Sequence, residues 1–190
     1  DPGLVMIPLS VHSGYSFMQG TSTIDSLCRH AASLGYETLA LTDTDNLCGL
    51  WEFISACRRE GIKPIIGAEI TEAKTFARAA CLAKDRPGYA NLCRLLTRRH
   101  TRADFDLKSA LADFSKGLVV LASDPDLVCF CHDSGMDIAA AVPEKPLFPS
   151  HRLIKTARRL GVSLAAVPDS FFNLPEDFEI HRVLRAISRR

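Results

Sequence analysis

The sequence has little excess charge of either sign and no long hydrophobic run. Its 23 Lys and Arg residues nearly balance its 22 Asp and Glu residues, so the formal net charge is +1. This balance gives no reason to expect a surface for nucleic acid or membranes. No apolar stretch approaches the length of a membrane span, and no signal peptide precedes the first predicted strand. We therefore expect a cytoplasmic protein with no membrane partner.

A Gly-rich phosphate loop and a nucleophile elbow are also absent from the sequence. The seven cysteines are odd in number and irregularly spaced, which is typical of reduced thiols in a cytoplasmic protein. Only Cys129, Cys131 and His132 form a cluster. It resembles half a zinc site, but no second Cys or His pair accompanies it. We interpret it as part of an apolar strand or helix.

Strand-like and helix-like segments alternate along the 190 residues. This length suits one domain with a substantial core, or a fragment of a larger chain. The alternation predicts an α/β fold with a mainly parallel sheet, either open or closed into a barrel. Predicted strands cover 4–9, 38–42, 63–70, 77–83, 118–122, 137–142 and 163–167. Predicted helices cover 24–34, 47–60, 88–97, 107–114 and 151–160, with a last one starting at Pro175.

The segment 98–106 has the weakest pattern and is predicted to be a loop. Its Arg98, Arg99, His100 and Arg102 could contact phosphate. A solvated loop is the simpler interpretation of such a basic run.

Polar residues follow several predicted strands, where an α/β fold would build a site: 10–19, 43–46, 69–71 and 169–171. Ser10 and His12 stand two positions apart at the first of these tips. Side chains two apart on a strand point to the same face, so a His-x-His pair would aim two imidazoles at one metal ion. With Ser10 in the first position, only His12 offers an imidazole.

Several of these tips carry a recognisable set of motifs. Segments 11–16 (VHSGYS), 40–47 (ALTDTDNL) and 61–69 (GIKPIIGAE) resemble the PHP (polymerase and histidinol phosphatase) domain. The version they resemble opens the alpha subunit of bacterial DNA polymerase III and its error-prone relatives. Segments 82–85, 88–95 and 175–184 are similar to the continuation specific to these polymerases. The resemblance covers nearly all of residues 1–190, which we therefore expect to form a single PHP domain of, or homologous to, a larger polymerase alpha chain.

The resemblance implies a distorted (β/α)7 barrel with a metal cluster at the carboxyl ends of its strands. Active members are similar to phosphoesterases or 3′–5′ exonucleases, in which clustered divalent metals activate water and neutralise phosphate charge. Three positions match expected metal ligands: His12, Glu69 and Asp169. Asp43 matches the aspartate of a Thr-Asp-His motif.

At the other ligand positions the family's residues are replaced. The resemblance implies histidines where Ser10, Thr44, Arg78 and Phe171 stand, and an acidic residue at Gln19. The segment 136–145, where a further ligand would come, contains no histidine. An arginine in a metal pocket argues against binding, because its charge is not removed by deprotonation.

Two interpretations of the remaining ligands stay open. His12, Glu69 and Asp169 could hold one divalent ion (Zn, Mn or Mg) as a facial triad. Alternatively, no cofactor is bound, His12 makes hydrogen bonds within a polar pocket, and the acids pair with cations such as Arg78. We favour the second.

Three functions follow from these interpretations. The first is a degenerate, catalytically silent PHP domain that serves as a platform. By resemblance, its partners would be a polymerase domain in the same chain and the proofreading exonuclease subunit, with DNA contacted only indirectly. The second is a metal-dependent phosphoesterase or 3′–5′ exonuclease with a reduced site. The third is a free-standing pseudoenzyme that binds a partner or a nucleotide.

Overall fold

A computed structural model describes residues 7–75, 77–143 and 148–188. The chain divides into two compact units: the first comprises Asp1–Ile66 and Asp169–Arg190, and the second Gly67–Pro168. The strands are β1 Ser10–Val11, β2 Thr38–Leu41, β3 Lys63–Thr71, β4 Arg78–Ala83, β5 Leu118–Ala122, β6 Ile138–Val142, β7 Ser163–Ala166 and β8 Asp169–Ser170. The helices are α1 Ile24–Ser33, α2 Leu50–Glu60, α3 Arg86–Thr101, α4 Leu107–Phe114, α5 Pro125–Asp133, α6 Phe148–Leu160 and α7 Asp177–Ser188.

In the first unit, two parallel strand pairs carry polar residues at their carboxyl ends. Strand β1 pairs with β8, and β2 pairs with the first part of β3. Helix α1 begins at Thr23, whose side chain accepts the Ser26 N–H and so caps the first turn. The apolar faces of α1 and α2 share one core cluster with β1 and β2, built around Phe53, Ile24 and Leu27. This core supports the strand ends on which the candidate site lies.

In the second unit, β4 runs antiparallel to both of its neighbours, β3 and β5. The pairs β5–β6 and β6–β7 are parallel. Helices α3, α4 and α5 each begin at an aspartate whose carboxylate accepts a backbone N–H of the first turn: Asp85, Asp106 and Asp124. These caps satisfy otherwise unpaired amides, which is why the three helices start where they do.

Most predicted elements agree with the structure to within three residues, and α4 and β5 have the predicted bounds. The first predicted strand is wrong where it is described: residues 7–9 form no strand and β1 begins at Ser10, while residues 4–6 lie outside the described part. Cys129 and Cys131 lie on a helix, α5, the second of the two structures expected for them. The short strand β8 was not predicted.

The predicted loop 98–106 is also wrong in part, because α3 continues to Thr101. The apolar positions Leu92, Leu95 and Leu96 bury one face of this helix, and no breaker follows them. Cationic side chains in the last turn of a helix are favourable, since the C-terminal end of the helix dipole is negative. Among the described residues, no helix combines the length and apolarity that crossing a bilayer requires.

Candidate metal centre

The first strand tip joins two of the predicted site residues through a hydrogen bond. Strands β1 and β8 place Ser10 opposite Asp169. The Ser10 hydroxyl donates to Asp169 Oδ1 at 2.7 Å. The same hydroxyl oxygen lies 3.4 Å from Nε2 of His12, which is fully buried. The serine that stands in place of a histidine therefore bonds to one predicted ligand and lies beside another.

The second ring nitrogen of His12 faces another serine. Nδ1 lies 3.2 Å from the Ser16 hydroxyl oxygen. That hydroxyl donates to Asp43 Oδ1 at 2.7 Å and accepts the Thr44 N–H at 3.1 Å. We call the connected set Asp43, Ser16, His12, Ser10 and Asp169 the serine–histidine chain. Ser16 was not among the predicted site residues; its only signal was its place four positions after His12 in the same motif.

The protons of the two serine hydroxyls are already donated to carboxylates, so neither hydroxyl can donate to His12. A serine hydroxyl has one proton to donate. Ser10 donates its proton to Asp169, and Ser16 donates its proton to Asp43. Both hydroxyls therefore present lone pairs, rather than protons, to the imidazole nitrogens. A serine hydroxyl oxygen thus lies beside each of the two ring nitrogens of His12.

Asp43 anchors the loop that follows β1. Its Oδ1 accepts the backbone N–H of Ser13 at 2.7 Å, and its Oδ2 accepts the Ser13 hydroxyl at 2.7 Å, in addition to the Ser16 bond. The carboxylate is almost fully buried, so three charge-assisted hydrogen bonds compensate its desolvation. Asp43 therefore ties the end of β2 to the loop.

The loop closes on Gly20. A Cβ atom at this position would lie 1.8 Å from the Ser13 carbonyl oxygen, far inside contact distance. Only glycine permits this approach. Gly20 thus holds the backbone of the loop that carries Ser13 and Ser16 close to β1.

Phe171 covers one face of His12. The two rings stack with centroids 4.4 Å apart and an interplanar angle of 14°. Phe171 also stacks with His181 of α7, at 5.3 Å. His181 Nδ1 donates to the Gln19 carbonyl oxygen at 2.7 Å. Phe171, where the resemblance implies a histidine ligand, is a stacking partner.

Gln19 and Thr44, two further replaced positions, lie beside each other. The Gln19 amide Nε2 donates to Thr44 Oγ1 at 3.4 Å. These are neutral groups, which offer weaker ligands to a divalent cation than a carboxylate or an imidazole.

In the second unit, Glu69 of β3 and Arg78 of β4 form an ion pair. Arg78 Nη1 lies 3.4 Å from Glu69 Oε1. The glutamate is buried, whereas about half of the arginine side chain is exposed, so solvent screens part of the attraction. The position at which the resemblance implies a histidine ligand therefore carries a permanent positive charge directed at a predicted metal-binding carboxylate.

These residues do not fit a divalent metal. Within ranges 7–75, 77–143 and 148–188, no three His, Cys, Asp or Glu side chains form a group that could hold an ion.

The cysteine cluster belongs to no such group of ligands in the described residues either. Burial raises the pKa of Cys131 to about 11. His132, next to it in sequence, lies 3.2 Å through Nδ1 from the carboxylate of Asp133.

Comparison with protein families and curated sequences gives a consistent result. The family model for the PHP domain matches residues 8–160. The chain is 28% identical over 249 aligned positions to the DNA polymerase III subunit alpha of Chlamydia trachomatis, covering 98% of this chain and 20% of that protein. It is 34% identical over 185 positions to the error-prone DNA polymerase of Anaeromyxobacter sp. (strain K), covering 85% and 16%. The chain thus spans a fifth or less of the length of these relatives.

Solved structures show the same fold. An amidohydrolase from Chromobacterium violaceum superposes with a TM-score of 0.66 at 17% identity, covering 90% of this chain and 89% of the other. A candidate metal-dependent phosphoesterase from Bifidobacterium adolescentis gives 0.62 at 16%, with the same coverages. These likenesses confirm the predicted α/β fold class of the PHP type, with mainly parallel strands. With its motifs, its fold and the family match over residues 8–160, the chain belongs to the PHP domain family.

Proposed function

We propose that this chain is a degenerate, catalytically inactive PHP domain of a DNA polymerase III alpha-like protein, and that it acts as a structural and partner-docking platform in DNA replication. One observation carries the proposal. The residues matching the family's metal ligands are bound by other protein groups: Asp169 by Ser10, and Glu69 by Arg78.

The missing chemistry follows from what metal-dependent phosphoester hydrolysis requires. Divalent ions must lower the pKa of a bound water and neutralise the charge of the phosphate in the transition state. Each ion needs several anionic or imidazole ligands, because these offset the repulsion between neighbouring cations. Here a hydroxyl and a phenyl ring stand near His12 instead, and a guanidinium stands beside Glu69.

A platform function is consistent with what replaces the ligands. Carboxylates buried without countercharge or hydrogen-bond donors would destabilise the strand tips. Of the carboxylates at these tips, Asp43 and Glu69 are buried. The Ser13 and Ser16 hydroxyls donate to Asp43, and Arg78 supplies a countercharge to Glu69. These protein groups can therefore stabilise the strand tips without a cofactor.

The partners we propose follow from the relatives. Both curated relatives are DNA polymerases in which the matching region is a fifth or less of the length. We propose a polymerase domain in the same chain as the first partner and a proofreading exonuclease subunit as the second, with DNA contacted indirectly.

The alternative is a metal-dependent phosphoesterase or 3′–5′ exonuclease with a reduced site. Its support is that His12, Glu69 and Asp169 are all present, and that His12 and Asp169 lie beside the same Ser10 hydroxyl. In this alternative, Zn, Mn or Mg would displace the serine contacts.

Metal analysis and hydrolysis assays distinguish the two functions. We expect the purified chain to hold well under one equivalent of metal. We also expect it to hydrolyse p-nitrophenyl phosphate and single-stranded DNA, with added Mn²⁺, Mg²⁺ or Zn²⁺, no faster than the His12→Ala variant. The His151→Ala variant, which changes an exposed histidine outside the predicted ligand set, is the matched control. One tightly held equivalent of metal, with activity lost in His12→Ala and kept in His151→Ala, would overturn the inactive assignment.

The reading frame tests the polymerase assignment separately. A frame that continues beyond the codon for Arg190 into polymerase sequence is the expected result. A frame that stops there would refute the polymerase platform and leave a free-standing pseudoenzyme, whatever the metal analysis shows.

A further inference from the structure

A basic cavity lies at the C-terminal end of α3, in the second unit. Its volume is about 410 Å³. The cationic side chains of Lys74, Arg99 and Arg102 line it, together with His100. In the part of the chain that the structure describes, the lining of this cavity includes no Asp or Glu. The basic run that the sequence suggested was a solvated loop therefore forms part of a concave site.

Two segments distant in sequence bring these cations together. Lys74 comes from the turn after β3, while the other three come from the end of α3 and the residue that caps it. The Arg99 side chain is also held in place by contacts within the protein, before any ligand binds. Its Nη2 donates to Thr71 Oγ1 at 3.3 Å, and its guanidinium carbon lies 5.7 Å from the centroid of the Phe105 ring. A guanidinium held in this way loses less conformational freedom when it binds an anion.

The positive charge exceeds what the helix end requires. The C-terminus of a helix carries roughly half a negative charge, which one cation in the last turn can complement. Arg98 is already in that turn, paired with Asp113 and stacked on Phe114. Lys74 and Arg102 add two further permanent charges in a chain whose formal net charge is +1. The cavity is thus a local concentration of charge.

We propose that this cavity binds a phosphate group, carried by a nucleotide or by a nucleic-acid strand. Guanidinium groups match the oxygens of phosphate as paired donors, and the lysine ammonium adds a point charge. The volume lies within the range of roughly 300–1,000 Å³ that is typical of sites for small molecules. The site is separate from the serine–histidine chain, and it takes an anion rather than a metal.

Binding assays at constant ionic strength test the proposal. Calorimetric titrations with inorganic phosphate and with dAMP, and fluorescence anisotropy with a labelled 12-nucleotide single-stranded DNA, measure the two sources of phosphate. The test variant is Lys74→Gln/Arg102→Gln, and both of these side chains are exposed. The matched control is Arg58→Gln/Lys63→Gln, which removes the same charge from exposed positions that do not line the cavity.

We expect the cavity variant to weaken binding by about tenfold or more, and the control by about twofold or less. Tighter binding of dAMP identifies a nucleotide site, and tighter binding of the oligonucleotide, displaced by phosphate, identifies a strand. Equal weakening in the two variants would show nonspecific attraction and overturn the proposal. So would the absence of binding to all three probes.

Discussion

Removing the Ser16 hydroxyl is the sharpest test of the serine–histidine chain. Ser16 is fully buried. Its hydroxyl donates to the Asp43 carboxylate, accepts the Thr44 N–H and lies beside Nδ1 of His12. In the Ser16→Ala variant these three groups lose one partner each. Asp43 keeps both bonds from Ser13, so the loop has a remaining attachment and the variant can fold.

The expected cost follows from these contacts. A hydrogen bond to a charged group contributes about 1.5–3 kcal/mol, and each of the two neutral contacts about 1 kcal/mol. The sum is on the order of 4 kcal/mol, a large fraction of the roughly 5–15 kcal/mol by which a folded protein is usually stable. For a chain of this length, each kcal/mol lowers Tm by roughly 2–4 °C. We therefore expect Tm to fall by on the order of 10 °C.

Urea denaturation and thermal unfolding followed by circular dichroism measure this loss. The control is Ser33→Ala, which removes an exposed hydroxyl whose bond is to the His30 carbonyl oxygen. We expect the control to change stability by about 0.5 kcal/mol or less. A cost below about 1 kcal/mol for Ser16→Ala, together with a Tm of the unsubstituted chain that rises by several degrees with Mn²⁺, would refute the reasoning. A ligand that binds the folded state raises Tm in this way.

Two further predictions use other parts of the chain. Gly20→Ala places a methyl group against the Ser13 carbonyl oxygen and should lower the free energy of unfolding by about 3 kcal/mol or more. The control Gly14→Ala, whose Cβ would lie 3.6 Å from the nearest atom, should lower it far less. Equal urea midpoints for the two variants would contradict this. Burial raises the pKa of Cys81 from its ordinary 9.0 to about 12, so above pH 9 the thiol ionises in the unfolded chain before it does so in the folded one. Stability should therefore be lost between pH 9 and about 12, and Cys81→Ala should flatten that part of the urea-midpoint profile; a parallel profile would contradict it.

The elements that could be predicted are those whose local signals agree. Helix α4 combines an aspartate cap, a regular apolar spacing and a glycine shortly after its end, so its bounds follow from neighbouring residues. Strand β5 is a short apolar run between turn residues, and its bounds were predicted as well. Strand β8 lacks any such run. Its two residues are polar, and they form a strand because β1 lies beside them.

For the candidate site, too, the residues themselves could be predicted from local motifs, whereas most of their partners could not. The motifs predicted His12, Asp43, Glu69 and Asp169 as candidate site residues, because the family resemblance is carried by residue types at set spacings. The partners of these residues were not visible in the same way. The sequence suggested Arg78 as a cation for an acid but indicated nothing of the bond between Ser10 and Asp169, which are 159 positions apart.

By itself, the sequence determined the residue types at the strand tips, the α/β pattern and the family, since all of these are read from residues close together in the chain. Only the tertiary structure decided what the replaced residues do. It pairs Ser10 with Asp169, stacks Phe171 on His12 and gathers Lys74 with the basic end of α3. The physical reason is that a hydrogen bond, a ring contact or a charged cavity depends on distances of a few ångströms between segments remote in sequence, and these distances exist only after the core has packed.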